Sequence, residues 1–208
     1  MSQGTPQTMP LVEYATASMT IPGESESGDR HIVVPTTTGT LIVVIDGLGH
    51  GAEAAEASRV AVATLERYAE ESVIALIKRC HKQMKATRGA VMSLASFNRQ
   101  DHTVTWLGVG NVEGVLLRAD TQASPARENI VMRGGVVGYQ LPPLQAVVTP
   151  VSPNDILIFA TDGIRNGFDR NLSLNAPLQQ IADAICAQHS KGTDDALVLV
   201  ARYLGNGS

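Results

Sequence analysis

Apolar residues along this chain recur in two rhythms, and the changes between them mark its elements. Leu11 to Thr20 alternates loosely and predicts a first strand. Pro22 to Asp29 is polar, holds Gly23 and Gly28, and predicts a loop. His31 to Val34 and Thr40 to Ile45 are rich in β-branched residues and predict two strands paired across the Pro35 to Gly39 turn. After Gly51 the rhythm changes. Ala52 to Glu71 is rich in Ala and Glu and predicts a long helix. Ser72 to about Lys85 predicts a second, because Val73, Leu76, Ile77, Cys80 and Met84 share one helical face.

From Gly89 onward the texture is strands and turns. Ala90 to Phe97, Thr103 to Val109 and Gly114 to Arg118 are separated by turn signals at Asn98 to His102 and Gly110 to Glu113, a spacing that predicts an antiparallel meander. Ser124 to Glu128 predicts a loop, and Gly134, Gly135 and Gly138 mark backbone that bends or is closely approached. Gln145 to Val148, Asp155 to Ala160 and Ala196 to Tyr203 predict further strands, with a helix near Pro177 to His189. Strands, two long helices, more strands and a helix do not alternate as βαβ units would. The order predicts an α+β layered fold. With no internal repeat and no low-complexity linker, residues 1–208 read as a single domain.

Composition narrows the function classes. The chain has 208 residues, 44% hydrophobic and 17% charged, enough for a core without disulfides or structural zinc. A net charge of −4 without a Lys/Arg cluster gives no footprint for nucleic acid. Cys80 and Cys186 are too few and too far apart for a disulfide framework or a cysteine zinc site, and read as reduced core residues. No apolar run approaches the roughly 18 residues of a membrane span, and the N-terminus lacks the apolar stretch of a signal peptide. The expectation is a cytoplasmic protein with no membrane partner.

The chemistry lies where apolar runs end in acids. Leu41 to Ile45 runs into Asp46-Gly47, Ile156 to Ala160 runs through Thr161 into Asp162-Gly163, and Asp194-Asp195 precedes the run Ala196 to Val200. Each is a carboxylate held at the end of a strand, and aspartates on different strands can converge on one point. Oxygen-only donors of this kind suit hard divalent cations, Mg²⁺ or Mn²⁺ rather than zinc. Four acids, with Asp29 as the fourth, would repel and raise one another's pKa without such ions.

Two other readings of the same residues stand beside the metal one. Asp46-Gly47 between apolar runs is also a hairpin turn signal, although a helix follows it rather than a strand. Gly47, Gly49 and Ala52 satisfy G-x-G-x-x-A at the mouth of a helix, the dinucleotide fingerprint, but the acid expected about 20 residues on falls inside helix. A phosphate-binding loop of the Gly-Lys-Ser/Thr kind is absent.

Seven short motifs, in this order and at these separations, carry a resemblance over about Ser27 to Arg202. They are Ser27-Gly28-Asp29, Ile45-Asp46-Gly47-Leu48-Gly49-His50-Gly51, Arg88-Gly89-Ala90 and Gly108-Val109-Gly110-Asn111, then Gly134-Gly135 with Gly138, Ala160-Thr161-Asp162-Gly163 and Thr193-Asp194-Asp195-Ala196. The set resembles the metal-dependent serine/threonine phosphatases of protein phosphatase 2C type, in their bacterial SpoIIE-like branch. The resemblance implies a four-layer αββα sandwich, two antiparallel β-sheets flanked by helices. It implies two Mn²⁺ or Mg²⁺ ions, Asp46 as the bridging ligand and Gly47 as a carbonyl ligand. Asp162 and Asp194 would complete the first ion's shell and Asp29 would serve the second. Of the adjacent acids, the family's site takes the first, which selects Asp194 over Asp195.

The same resemblance implies direct hydrolysis by an ion-activated water, with Asp46 and Asp162 the catalytic pair and no phosphoenzyme. Many members of this branch carry sensory or membrane segments ahead of the catalytic domain, whereas about 25 residues precede the first motif here. The expectation is a free-standing catalytic domain, and that economy implies phosphorylated STAS-domain stressosome proteins as substrates. His50 is a candidate general acid or phosphate contact, or else a residue lining the start of the helix. Arg30, beside Asp29, points to the opposite face of a strand and receives no role. His31, His81, His102 and His189 lie in unrelated contexts. A silent binding module that keeps the fold, and the nucleotide-binding reading, are the rival functions.

Overall fold

The computed structural model describes residues 10–120 and 122–205. Among the described residues are eleven strands and three helices, with the nine predicted strands and the three helices in the predicted order and two short strands, the seventh and eighth, added to them: β1 (Val12–Met19), β2 (Asp29–Pro35), β3 (Gly39–Gly47), α1 (Ala52–Arg67), α2 (Val73–Gln83), β4 (Ala90–Asn98), β5 (Thr103–Val109) and β6 (Glu113–Leu117). The remainder are β7 (Arg127–Asn129), β8 (Met132–Arg133), β9 (Val147–Pro150), β10 (Ile156–Ala160), α3 (Leu178–His189) and β11 (Ala196–Tyr203). One sheet runs β1-β11-β10-β6-β7 and the other β2-β3-β4-β5-β8, with β9 also paired to β5. All pairings are antiparallel except the two-residue match of β5 with β8.

Pattern explains the layering. In β3 every residue from Leu41 to Ile45 is buried, so the strand reads as a continuous apolar run. Leu41, Val43 and Ile45 face α1 and α2, where Ala57, Ala61, Leu65, Leu76 and Ile77 meet them. Ile42 and Val44 face the other way, into a core between the sheets with Phe97, Trp106, Phe159, Leu199 and Tyr203. On the other sheet, Ile156, Ile158, Val198 and Val200 turn outward to Ile181, Ala182 and Ile185 of α3. The result is the expected four-layer αββα sandwich.

Three details differ from the sequence reading. The meander stops after β5: Gly110, at φ +95°, turns the chain, Val112 is buried between the sheets, and β6 pairs with β10 of the opposite sheet. Turn composition announces a reversal but not which strand will receive the next segment. The first helix ends at Arg67, four residues early, because Tyr68 leaves helical geometry and Ser72 opens α2 by accepting the Ala75 N–H. The predicted loop at 124–128 partly pairs as β7. The dinucleotide reading loses its frame here, since β3 and β4 are antiparallel and joined through two helices rather than one crossover helix. Both cysteines are buried and free, as expected. No helix among the described residues is long and apolar enough to cross a membrane.

Candidate metal centre

Strand direction gathers the acids at one end of the sandwich. Asp29 opens β2 and Asp46 nearly closes β3, and the two are directly paired across the sheet. On the other sheet, β10 and β11 are antiparallel neighbours, so Asp162 just after β10 and Asp194 just before β11 emerge at the same edge. Asp46, Asp162, Asp194 and His50 share one cleft of about 560 Å³. Asp29 lies behind it, 4% exposed, where the Thr161 hydroxyl donates to its Oδ2 at 2.8 Å across the gap between sheets.

Close packing requires glycine at both Asp-Gly pairs. A Cβ on Gly47 would lie 2.2 Å from the Ala54 carbonyl oxygen of α1, and one on Gly163 would lie 1.9 Å from the Asp195 carbonyl oxygen. Gly47 is buried beneath the helix, and its N–H donates to the Gly28 carbonyl at 3.2 Å.

The adjacent acids of the last motif have different work. Asp195 is 4% exposed and accepts from the Ile21 N–H at 2.8 Å and the Gly28 N–H at 2.7 Å. It clamps the 20–28 loop to β11. Asp194 is left facing the cleft.

Electrostatics at this end are severe. Burial pushes the Asp46 carboxyl up to about 9, with Asp29, Asp162, Asp194 and Asp195 adding to the rise. Burial likewise pushes Asp29 up to about 7; the Thr161 hydrogen bond opposes this, and Asp195, Asp162 and Asp194 reinforce it. Asp194 is raised, first by burial, against the hydrogen bond from the Asp195 N–H. No lysine, arginine or histidine among the described residues forms an ion pair with any of these five acids.

Among the described residues, no three His, Cys, Asp or Glu side chains stand arranged around one point as a finished cage. The donor set nevertheless fits hard divalent ions: it is all oxygen, it gathers at one end of the sandwich, and no basic side chain among the described residues forms an ion pair with it.

Sequence reasoning gave no role to three groups at this centre. Asn111 Nδ2 donates to Asp162 Oδ2 at 2.7 Å, Thr161 steadies Asp29, and Glu24 holds His50 Nδ1 at 2.6 Å. Asn111 and Thr161 stood inside the quoted motifs, and their places beside turns and acids were the available signal. Arg30 bonds Glu26 and the Asp29 carbonyl, which agrees with its exclusion.

A two-sheet sandwich with an acid-lined cleft at one end of its strands defines a class, and comparison with known proteins places the chain within it. Residues 36–204 match the family model described as Stage II sporulation protein E (SpoIIE). The chain belongs to this family. It is 36% identical over 94 residues to the phosphoserine phosphatase RsbX of Bacillus subtilis (strain 168), 45% of this chain and 47% of that protein. The match thus spans about half the length of that relative. A solved chain reported as "The bacterial stressosome: a modular system that has been adapted to control secondary messenger signaling" superposes with a TM-score of 0.83 at 26% identity, covering 92% of this chain and 99% of that one. A crystal structure of RsbX in complex with magnesium gives 0.80 at 23% identity, over 92% and 94% of the two chains, and supports the fold.

Proposed function

We propose that this protein is a metal-dependent phosphoserine/phosphothreonine protein phosphatase. The observation that carries the reading is the meeting of Asp46, Asp162 and Asp194 in one cleft, with Asp29 behind them and no ion pair to any of them among the described residues. Two Mn²⁺ or Mg²⁺ ions, when bound, would supply the nucleophile at neutral pH and offset charge on the phosphoryl oxygens. Asp46, Asp162, Asp194 and Asp29 would hold them, with the Gly47 carbonyl as a further donor. Asn111 orients the Asp162 carboxylate and Thr161 that of Asp29. His50, gripped by Glu24 at the mouth of the cleft, is placed to give a proton to the departing serine or threonine oxygen.

The substrates in this reading are phosphorylated STAS-domain proteins of a stressosome, dephosphorylated in the cytoplasm as negative feedback by a single catalytic domain. Similarity to RsbX and to the stressosome-associated structure supports this finer assignment. The test has two stages. Turnover of a phosphoserine peptide is measured with Mn²⁺ and again after thorough chelation; full activity without metal would end the phosphatase mechanism. Phosphorylated STAS proteins from the same genome are then assayed, and inactivity on all of them by a competent enzyme removes the stressosome role alone.

A further inference from the structure

The cleft is short of positive charge even when loaded. Asp29, Asp46, Asp162, Asp194 and Asp195 are five carboxylates, and two divalent ions bring four charges, before a phosphate dianion arrives. Among the described residues lining the cleft, His50 is the one basic side chain. Lys191 lowers the Asp194 pKa from the loop before β11, at the far side. The guanidinium of Arg88 stands at the near rim. Its Nη1 lies 2.8 Å from where a Cβ on Gly49 would be, and Gly49 lines the cleft at φ +93°. The Leu48 N–H donates to the Gly89 carbonyl at 3.0 Å, so the segment carrying Arg88 is stitched to the cleft wall.

Arg88 pairs with Glu53, in the first turn of α1, at 2.5 Å. Both side chains are largely in solvent, 57% and 71% exposed, and exposed pairs of this kind hold weakly. A phosphate dianion, offering the bidentate geometry a guanidinium prefers, can take Glu53's place. Resting on the phosphatase reading, we propose that Arg88 holds the phosphoryl oxygens of the substrate, leaving Glu53 as the phosphomonoester enters. Glu53 then acts as a placeholder that keeps the guanidinium at the rim between turnovers. Recognition by Arg88 is of the phosphate, not of the surrounding peptide.

The Mn²⁺-loaded protein, Arg88→Ala and Arg88→Lys are compared for KM and kcat on a phosphoserine peptide and on para-nitrophenyl phosphate. Inorganic phosphate binding and Mn²⁺ binding are titrated by calorimetry, and thermal unfolding checks the fold. Arg88→Ala is expected to weaken inorganic phosphate binding and raise both KM values by about tenfold. Arg88→Lys should recover part of that loss, and Mn²⁺ affinity should stay within about twofold, since Arg88 is not a ligand. Phosphate binding by Arg88→Ala within about twofold of the parent overturns the proposal, and so does a rise in KM confined to the peptide. Failure of the parent to turn over any phosphomonoester sinks the phosphatase reading instead, and the phosphate titration still decides Arg88.

Discussion

The two ends of β10 treat their aspartates in opposite ways. Asp155 leads into the strand and is 2% exposed, yet every need of its carboxylate is met. Arg118 Nη1 and the Ser152 N–H donate to Oδ2 at 2.9 and 3.0 Å, and the Ala119 N–H donates to Oδ1 at 2.9 Å. Arg118 in turn bonds Glu128 and the Pro150 carbonyl. At the other end, Asp162 has one amide donor from Asn111, and the neighbouring Asp46 carboxyl takes no side-chain hydrogen bond among the described residues. A strand-end carboxylate is therefore not in itself a site. What marks a site is the fold's refusal to supply the positive charge that burial demands.

The largest effect should come from exchanging the treatments. Asp46→Asn and Asp162→Asn should each cut turnover at least about 10³-fold while leaving the fold intact. Asp155→Ala should do the reverse. It strands two backbone N–H groups and half-frees a largely buried guanidinium, so it should cost about 3 kcal/mol of stability with near-normal turnover per folded molecule. Denaturant titrations alongside peptide turnover check both. A near-normal rate in either amide variant would remove that residue from the centre.

Next comes the pH dependence of the chelated protein. Asp29 and Asp46 have folded pKa values raised from 3.8 to about 7 and about 9, so the native state keeps protons that the unfolded chain has released. The resulting stability is fully present below pH 3.8 and is lost as pH climbs through about 7 and then about 9. The melting temperature of the chelated protein should fall across that window, each kcal/mol lost showing as about 2–4 °C. Saturating Mn²⁺ should flatten the decline, because ions that bind the native state stabilise it and favour the ionised acids. A chelated protein whose stability is flat from pH 5 to about 9 would mean the acids are already neutralised within the fold.

Much of this contrast was legible in the sequence. Period-two alternation and doubly buried runs located the strands, and the acids closing those runs marked the end of the sandwich where they gather, because a strand end fixes a side chain's position without distant help. Partners lying far along the chain were not legible. Thr161 meets Asp29 across 132 residues and Asn111 meets Asp162 across 51, contacts that exist only once two sheets have packed. The crossing of β6 between sheets was hidden for the same reason. The choice of Asp194 over Asp195 rested on resemblance alone; its physical reason, the Ile21 and Gly28 amides that occupy Asp195, exists only in three dimensions.

The smallest expected effect tests whether a single hydroxyl keeps the two sheets' acids in register. Thr161 Oγ1 donates to Asp29 Oδ2 and accepts from the Leu197 N–H, both at 2.8 Å. Thr161→Val removes both contacts and leaves a buried N–H unpaired, at a cost of about 1–2 kcal/mol. It also deprives Asp29 of the hydrogen bond that opposes its raised pKa, so more of that carboxyl stays protonated at neutral pH. Mn²⁺ affinity at pH 7 should fall about tenfold in Thr161→Val, the loss expected when a ligand's orienting partner is removed. Thr161→Ser keeps the hydroxyl and should stay within about threefold of the parent. Calorimetric titration of Mn²⁺ into the three proteins separates the possibilities. Equal affinities with only the valine variant destabilised would make Thr161 a tie between strands and nothing more.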